Sequence, residues 1–207
     1  MNSKKRGFTL IEMLVVIGII AILSGALLMG FGRVTKAAQR AKAVEAVSEA
    51  AQALVILRQK NSNVWPGVIS GNYGGGDGTG RGMVPEVAKV FAKNNLLGVA
   101  TDTSGNPIGI SRCGVVDPWA ETVLKRSSQA NAATKVSSGG MVQDHIIYFA
   151  VDVDGDGITA ANVGGQAVEV RAEAIAWCAG ADGVIAPYNQ RGRSDDVYSW
   201  DKAKEKR

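Results

Sequence analysis

The chain has 207 residues, 46% of them hydrophobic and 20% charged, which is enough for one modest folded domain with a buried core. Its formal charge is +4, but Lys4, Lys5 and Arg6 supply three of those charges and leave the rest of the chain close to neutral. With no dense basic patch interleaved with aromatics, this distribution argues against a nucleic-acid partner. Neither of the two cysteines, Cys113 and Cys178, lies in a CxxC pair, which argues against a zinc site.

The first seven residues form a short basic leader, and the run from Phe8 to Phe31 that follows carries a single charge, Glu12. A helix needs about 20 apolar residues to cross a bilayer, so the run is long enough to span one. The cations before it favour an N-terminus held in the cytoplasm. An ordinary secretory signal has a shorter apolar run followed by a small-residue cleavage site, and no clear A-x-A site follows here. A plain signal anchor does not account for Glu12, because a carboxylate in hydrocarbon costs several kcal/mol unless it finds a partner.

The string GFTLIEMLVVIGIIAIL closely resembles the cleavage site and helix of type IV prepilins and of the pseudopilins of type II secretion. The resemblance implies cleavage between Gly7 and Phe8 by a prepilin peptidase, methylation of the new N-terminus, and pairing of the Phe8 amine with Glu12 of a neighbouring subunit. Such a pair would neutralise two charges in a low-dielectric filament core. Where many members carry a proline about three turns after the acid, this chain has Met29, Gly30 and Gly32. A glycine weakens a helix by roughly 1 kcal/mol relative to alanine, so these two would supply the loosening that proline gives elsewhere.

Beyond the span, Val34, Ala37, Ala41, Val44, Val47, Ala51 and Leu54 recur at spacings of three and four, which predicts an amphipathic helix running to about Gln59. Lys42-Ala43-Val44, Ala53-Leu54, Asn61 and Trp65-Pro66 extend the resemblance through this region. The domain plan is a leader (1–7), a transmembrane and polymerisation helix (8–31), its amphipathic continuation (32–60) and an extracytoplasmic globular domain (61–207).

Within that domain, the glycine-rich stretch Ser70–Gly82 reads as a surface loop, since a phosphate loop would need a Lys-Ser/Thr ending. Pro85–Leu97 reads as a short helix, and Asn106-Pro107 and Asp117-Pro118 read as turns. Asp117-Pro118-Trp119 resembles the DPWG turn of major pseudopilins, with Ala120 replacing the glycine. Lys125–Gly140 reads as an inserted polar loop, and His145–Val151 and Val168–Cys178 as strands. In an oxidising compartment Cys113 and Cys178 form a candidate disulfide; two reduced, buried cysteines are the equal alternative. The fold class is α+β, a pilin fold with a long N-terminal helix on a small antiparallel sheet.

Two acidic groups are candidate metal ligands. Asp152, Asp154 and Asp156, with Gly157, have the start of a calcium loop, but Val163 stands where an EF-hand has glutamate, and an acidic turn between strands explains them as well. Asp182, Asp195 and Asp196 match the acidic positions of the C-terminal calcium loop of major pseudopilins, so the resemblance implies calcium there. Arg191 and Arg193 offer these aspartates an alternative partner.

The single histidine, His145, reads as a structural residue, and the sequence shows no nucleophile elbow or nucleotide fingerprint, so no enzymatic activity is expected. The resemblance implies a homo-oligomeric helical filament, assembled from the bacterial inner membrane by an assembly ATPase and a membrane platform, that ends up in the periplasm or at the cell surface. Within the family, the DPW turn and the SDDxxSW ending favour a major pseudopilin over a pilus subunit. From another class, a signal-anchored calcium-binding adhesion module that never polymerises is the alternative.

Overall fold

The structure is a computed structural model that describes residues 9–73, 81–120 and 145–201, without the side chains of 26–31, 33, 71–73, 81–82, 110 and 113. The predicted loop 125–140 therefore lies outside the described residues, as do the leader and Phe8. The chain divides into two units, Met1–Gln39 and Arg40–Arg207.

Helix α1 runs from Leu10 to Lys60, close to the predicted end, and passes through Gly30 and Gly32 without a break. The loosening expected from those glycines does not interrupt it. In the first unit every apolar side chain from Leu10 to Leu23 is exposed. A helix that is hydrophobic all round is made to be covered by a partner or by lipid. Among the described residues, no helix is long and apolar enough to cross a membrane.

In the second unit, residues 40–60 of α1 pack on a sheet. The buried positions are Ala43, Val47, Ala50, Ala53, Leu54 and Leu57. Only Val47 and Leu54 of the predicted stripe are among them. Ala37 and Ala41 are exposed, and Val34 is 66% exposed. The displacement arises because alanines occupy several faces of this helix, so small apolar residues alone do not mark which one is covered.

Two short helices follow, α2 (Gly67–Tyr73) and α3 (Pro85–Lys93). The predicted loop from Ser70 thus begins inside a helix, started by Pro66, whose carbonyl accepts from the backbone N–H of Ile69 and Ser70. Its end, Arg81–Gly82, is a strand, β1. The remaining strands are β2 (Tyr148–Val151), β3 (Thr159–Val163), β4 (Gln166–Val170), β5 (Ala174–Cys178) and β6 (Val197–Tyr198). The main sheet has the order β1-β2-β5-β6, all antiparallel, and β3 and β4 form a separate hairpin. The strand expected over Val168–Cys178 is therefore two strands in two sheets. The pattern changes at 171–173, from the alternating Val168 and Val170 to the wholly buried Ala174–Cys178. The strand expected from His145 begins only at Tyr148.

Alternation then builds two cores. Phe149, Val151, Ala174, Ala176 and Cys178 face α1 with Val47, Leu54 and Leu57. Ala150, Ile175 and Trp177 point the other way, onto Ala161, Val163 and Val168 of the hairpin and Tyr198 of β6. The α+β architecture expected from the sequence is present: a long N-terminal helix packed on a small antiparallel sheet.

Candidate functional site

At the start of α1, Thr9 and Glu12 form a reciprocal cap. Glu12 Oε2 accepts from the Thr9 backbone N–H and from its hydroxyl, both at 2.8 Å, while the Glu12 N–H lies 3.4 Å from Thr9 Oγ1. This is a capping box: a threonine at the cap and a glutamate three residues on satisfy donors that the first helical turn leaves open. The carboxylate is exposed and belongs to the fifth residue after Gly7. It is the only acidic residue of α1 before Glu45. Gly7 and Phe8 themselves lie outside the described residues.

Near the other end of the chain, the structure brings Asp182, Asp195 and Asp196 together. One carboxylate oxygen from each lies within 4.8 Å of the others. The loops that carry them are held by the aspartates' own acceptor bonds. Asp182 Oδ1 accepts from Val184 N–H at 2.9 Å, Asp195 Oδ2 from Ala181 N–H at 2.7 Å, and Asp196 Oδ2 from Ala186 N–H at 3.0 Å. Gly180, at φ +70°, makes the approach possible, because a Cβ there would stand 2.6 Å from the Asp195 carbonyl oxygen. Asp196 is 4% exposed, and its Oδ1 is buried without a hydrogen-bond partner. Burial pushes its carboxyl above the usual range, against the pull of the Tyr198 hydroxyl, the Ala186 N–H and the nearby Ser194 hydroxyl, whose own hydrogen bond goes to the Arg191 carbonyl. A buried carboxylate oxygen that no donor meets in hydrogen-bond geometry is costly, so the donor set suits a hard, oxygen-seeking cation.

The two arginines do not neutralise this group in the way the sequence offered. Arg191 pairs with Asp201 (Nε to Oδ2, 3.3 Å), donates to the Tyr188 carbonyl at 3.2 Å and lies 4.3 Å over the Tyr188 ring. Arg193 is exposed.

The second acidic group, Asp152, Asp154 and Asp156, is also gathered, but its buried member, Asp152, already accepts backbone hydrogen bonds on both oxygens. Asp152 Oδ1 accepts from Gly155 N–H at 2.7 Å and Oδ2 from Gly157 N–H at 2.9 Å. Burial raises its carboxyl, but these donors, Asp154 and the Arg58 charge outweigh it and hold it below the usual range. The geometry is that of an acidic turn joining β2 to β3. The turn is fastened to the end of α1: Trp65 Nε1 donates to the Asp152 carbonyl, and Arg58 lies 5.2 Å over the Trp65 ring and 3.5 Å from Glu173.

The other sequence candidates have structural surroundings. His145 and Asp117 are both buried, with Nδ1 3.2 Å from Oδ2. Asp117 Oδ1 also accepts from Trp119 and Ala120 N–H, which shapes the Asp-Pro-Trp turn. Cys178 is a free, fully buried thiol, pushed up to about 12 chiefly by burial. The Cys113 side chain, and with it the candidate disulfide, lies outside the described residues.

The sequence motif included Trp200 but gave no role to Tyr188 or Tyr198; the three pack together with centroids 5.1–5.7 Å apart beside Asp196. Their spacing within a single short segment was the available signal.

Residues 2–28 match the family described as the prokaryotic N-terminal methylation motif, which supports a prepilin of the type IV pilin kind. No curated protein and no solved structure matches the chain.

Proposed function

We propose that the chain is a structural subunit of a type IV pilus-like filament or type II secretion pseudopilus, cut after Gly7 by a prepilin peptidase and polymerised through α1. The observation that carries this reading is Glu12: an acid, and the only charge, in an otherwise uncharged, all-round apolar helix start, within the segment that matches the methylation motif. In this reading the mature amine of Phe8 and the Glu12 carboxylate of a neighbouring copy pair as the apolar surfaces from Leu10 to Leu23 are buried against one another. Before assembly the run Phe8–Phe31 anchors the subunit in the inner membrane, with the globular domain outside the cytoplasm. An assembly ATPase and its membrane platform supply the work of extraction.

Calcium belongs to the same proposal. Asp182, Asp195 and Asp196 would hold it, with carbonyl oxygens completing its six to eight ligands. The ion would neutralise three mutually repelling carboxylates and use the orphaned Asp196 Oδ1. This, together with the Asp117-Pro118-Trp119 turn, favours the major pseudopilin over a pilus subunit. No catalytic step is assigned to any residue.

The test is Glu12→Ala in a strain that assembles the filament. Membrane insertion, read by alkaline extraction, should persist while sheared filaments disappear. Normal filament yield from that variant would instead favour an anchored module that does not polymerise.

A further inference from the structure

The structure separates the two oxygens of Asp196. Oδ2 accepts from the Tyr198 hydroxyl at 3.0 Å and from Ala186 N–H at 3.0 Å, whereas Oδ1, on the other side of the same carboxylate, is buried and unpartnered. A carboxylate turns easily about its last torsion, so something must fix which oxygen meets a ligand. The Ala186 N–H provides one fixed point and the Tyr198 hydroxyl the second. Two donors converging on one oxygen hold the plane of the group.

Tyr198 is itself well anchored. Its backbone pairs with Trp177 at the edge of the main sheet. Its ring stands edge-on to Tyr188 at 5.2 Å and lies 5.1 Å from Trp200. Trp200 Nε1 in turn donates to the Tyr188 hydroxyl at 2.9 Å, so the Tyr188 oxygen is occupied elsewhere. The Tyr198 hydroxyl is therefore carried by a rigid strand and an aromatic cluster, and it is directed at the most buried of the three gathered aspartates.

We propose that Tyr198 is a positioning residue for the cation site: its hydroxyl holds Asp196 Oδ2 so that Oδ1 is presented to the ion. This rests on the calcium reading of Asp182, Asp195 and Asp196. Tyr198 does not touch the ion. It acts through Asp196, as outer hydrogen-bond partners of metal ligands do. The same bond ties cation binding to strand β6, because the residue that orients the ligand is the one that closes the sheet.

The test uses the full-length protein in detergent, with calcium and terbium as probes. Trp200 packs 5.1 Å from the ring of Tyr198, whose hydroxyl is 3.0 Å from Asp196 Oδ2, and serves as the sensitiser of terbium emission. Calcium affinity is read by competition, and the number of waters on the bound ion by emission lifetimes in light and heavy water. Tyr198→Phe keeps the ring packing and should raise the calcium Kd by about tenfold, the lower end of what such partners contribute. It should also add about one water to bound terbium, as Asp196 lets go. Tyr148→Phe removes a tyrosine hydroxyl on strand β2, outside the Tyr188–Tyr198–Trp200 cluster, and should leave both readouts unchanged.

A role in packing alone would lower the thermal midpoint of Tyr198→Phe without changing the hydration of the ion. Asp196→Asn is the second variant: its carbonyl oxygen would take both donors and turn the amide NH2 to the site, abolishing binding. If the unaltered protein binds calcium and Tyr198→Phe binds it equally, with the same hydration, the positioning role is overturned and the calcium reading stands. If the unaltered protein binds neither probe, the calcium reading falls and the inference with it.

Discussion

Thr9 and Glu12 satisfy each other across the first turn of α1, with both Thr9 donors 2.8 Å from Glu12 Oε2. The acid that a filament would pair with a neighbour's amine therefore serves, in the single subunit, as half of a helix cap. Glutamine at the same position keeps a capping box and loses the charge. Glu12→Gln should retain the helix start, read by amide chemical shifts of residues 9–13 in micelles, and still fail to assemble. Thr9→Ala should do the reverse, weakening the first turn by about 1 kcal/mol while leaving the charge in place. Equal assembly by Glu12→Gln and the unaltered chain would mean that the cap, rather than the charge, is what the position supplies.

Asp117 gives a pH dependence of defined sign. Burial raises its carboxyl above the usual value of 3.8, against the pull of His145 and of the Ala120 and Trp119 N–H groups. The folded protein then binds this proton more tightly than the unfolded chain does. Its contribution to stability is largest at acid pH and is lost as pH rises from 3.8 through the higher folded value. Relative to Asp117→Asn, the unaltered protein should gain thermal midpoint as pH falls through that window. A difference that stays constant with pH, or has the opposite slope, would contradict the burial argument.

The hairpin β3–β4 turns on Gly164 and Gly165, at φ +58° and +83°. Both lie where a side chain costs about 1–2 kcal/mol, so Gly165→Ala, which has open space around it, should lose about that much stability. Gly164→Ala should lose more, because its Cβ would also collide with the carbonyl of Ala186. Denaturant midpoints of the two variants decide the order, and equal losses would show that the 186 backbone yields freely.

Chelation bears on the acidic loop. If calcium occupies Asp182, Asp195 and Asp196 at roughly one hundred times its Kd, it should stabilise the fold by about 2.7 kcal/mol. The thermal midpoint should fall when calcium is removed and return when it is restored. Neutralising Asp154 and Asp156 together should leave that response intact, since both Asp152 oxygens are already occupied by Gly155 and Gly157 N–H. An unchanged midpoint on chelation would remove calcium from the account.

The long helix was legible in the sequence because no proline interrupts it and, Glu12 apart, its charges begin only after the apolar run. The face it buries was not, because alanines at 37, 41, 43, 50, 51 and 53 give the same apolar signal on several sides, and only the sheet selects Ala43, Ala50 and Ala53. Strand β3 was missed, since its middle residues, Ala160, Ala161 and Asn162, have little strand preference and its signal is the Gly164-Gly165 turn that follows it. That the three aspartates at 182, 195 and 196 come together was legible, because they match the acidic positions of a known loop although the segment between them is longer. The separation of the Asp196 oxygens was not legible, since it depends on a tyrosine two residues on and on a backbone N–H ten residues earlier.

The central claim is processing after Gly7, and mass spectrometry of the mature N-terminus tests it most directly. The chain purified from membranes or filaments should begin at Phe8, with its amine methylated and Glu12 the fifth residue of the mature protein. A mature chain that begins at Met1 or Asn2, with the leader intact, would contradict the reading as a polymerising prepilin.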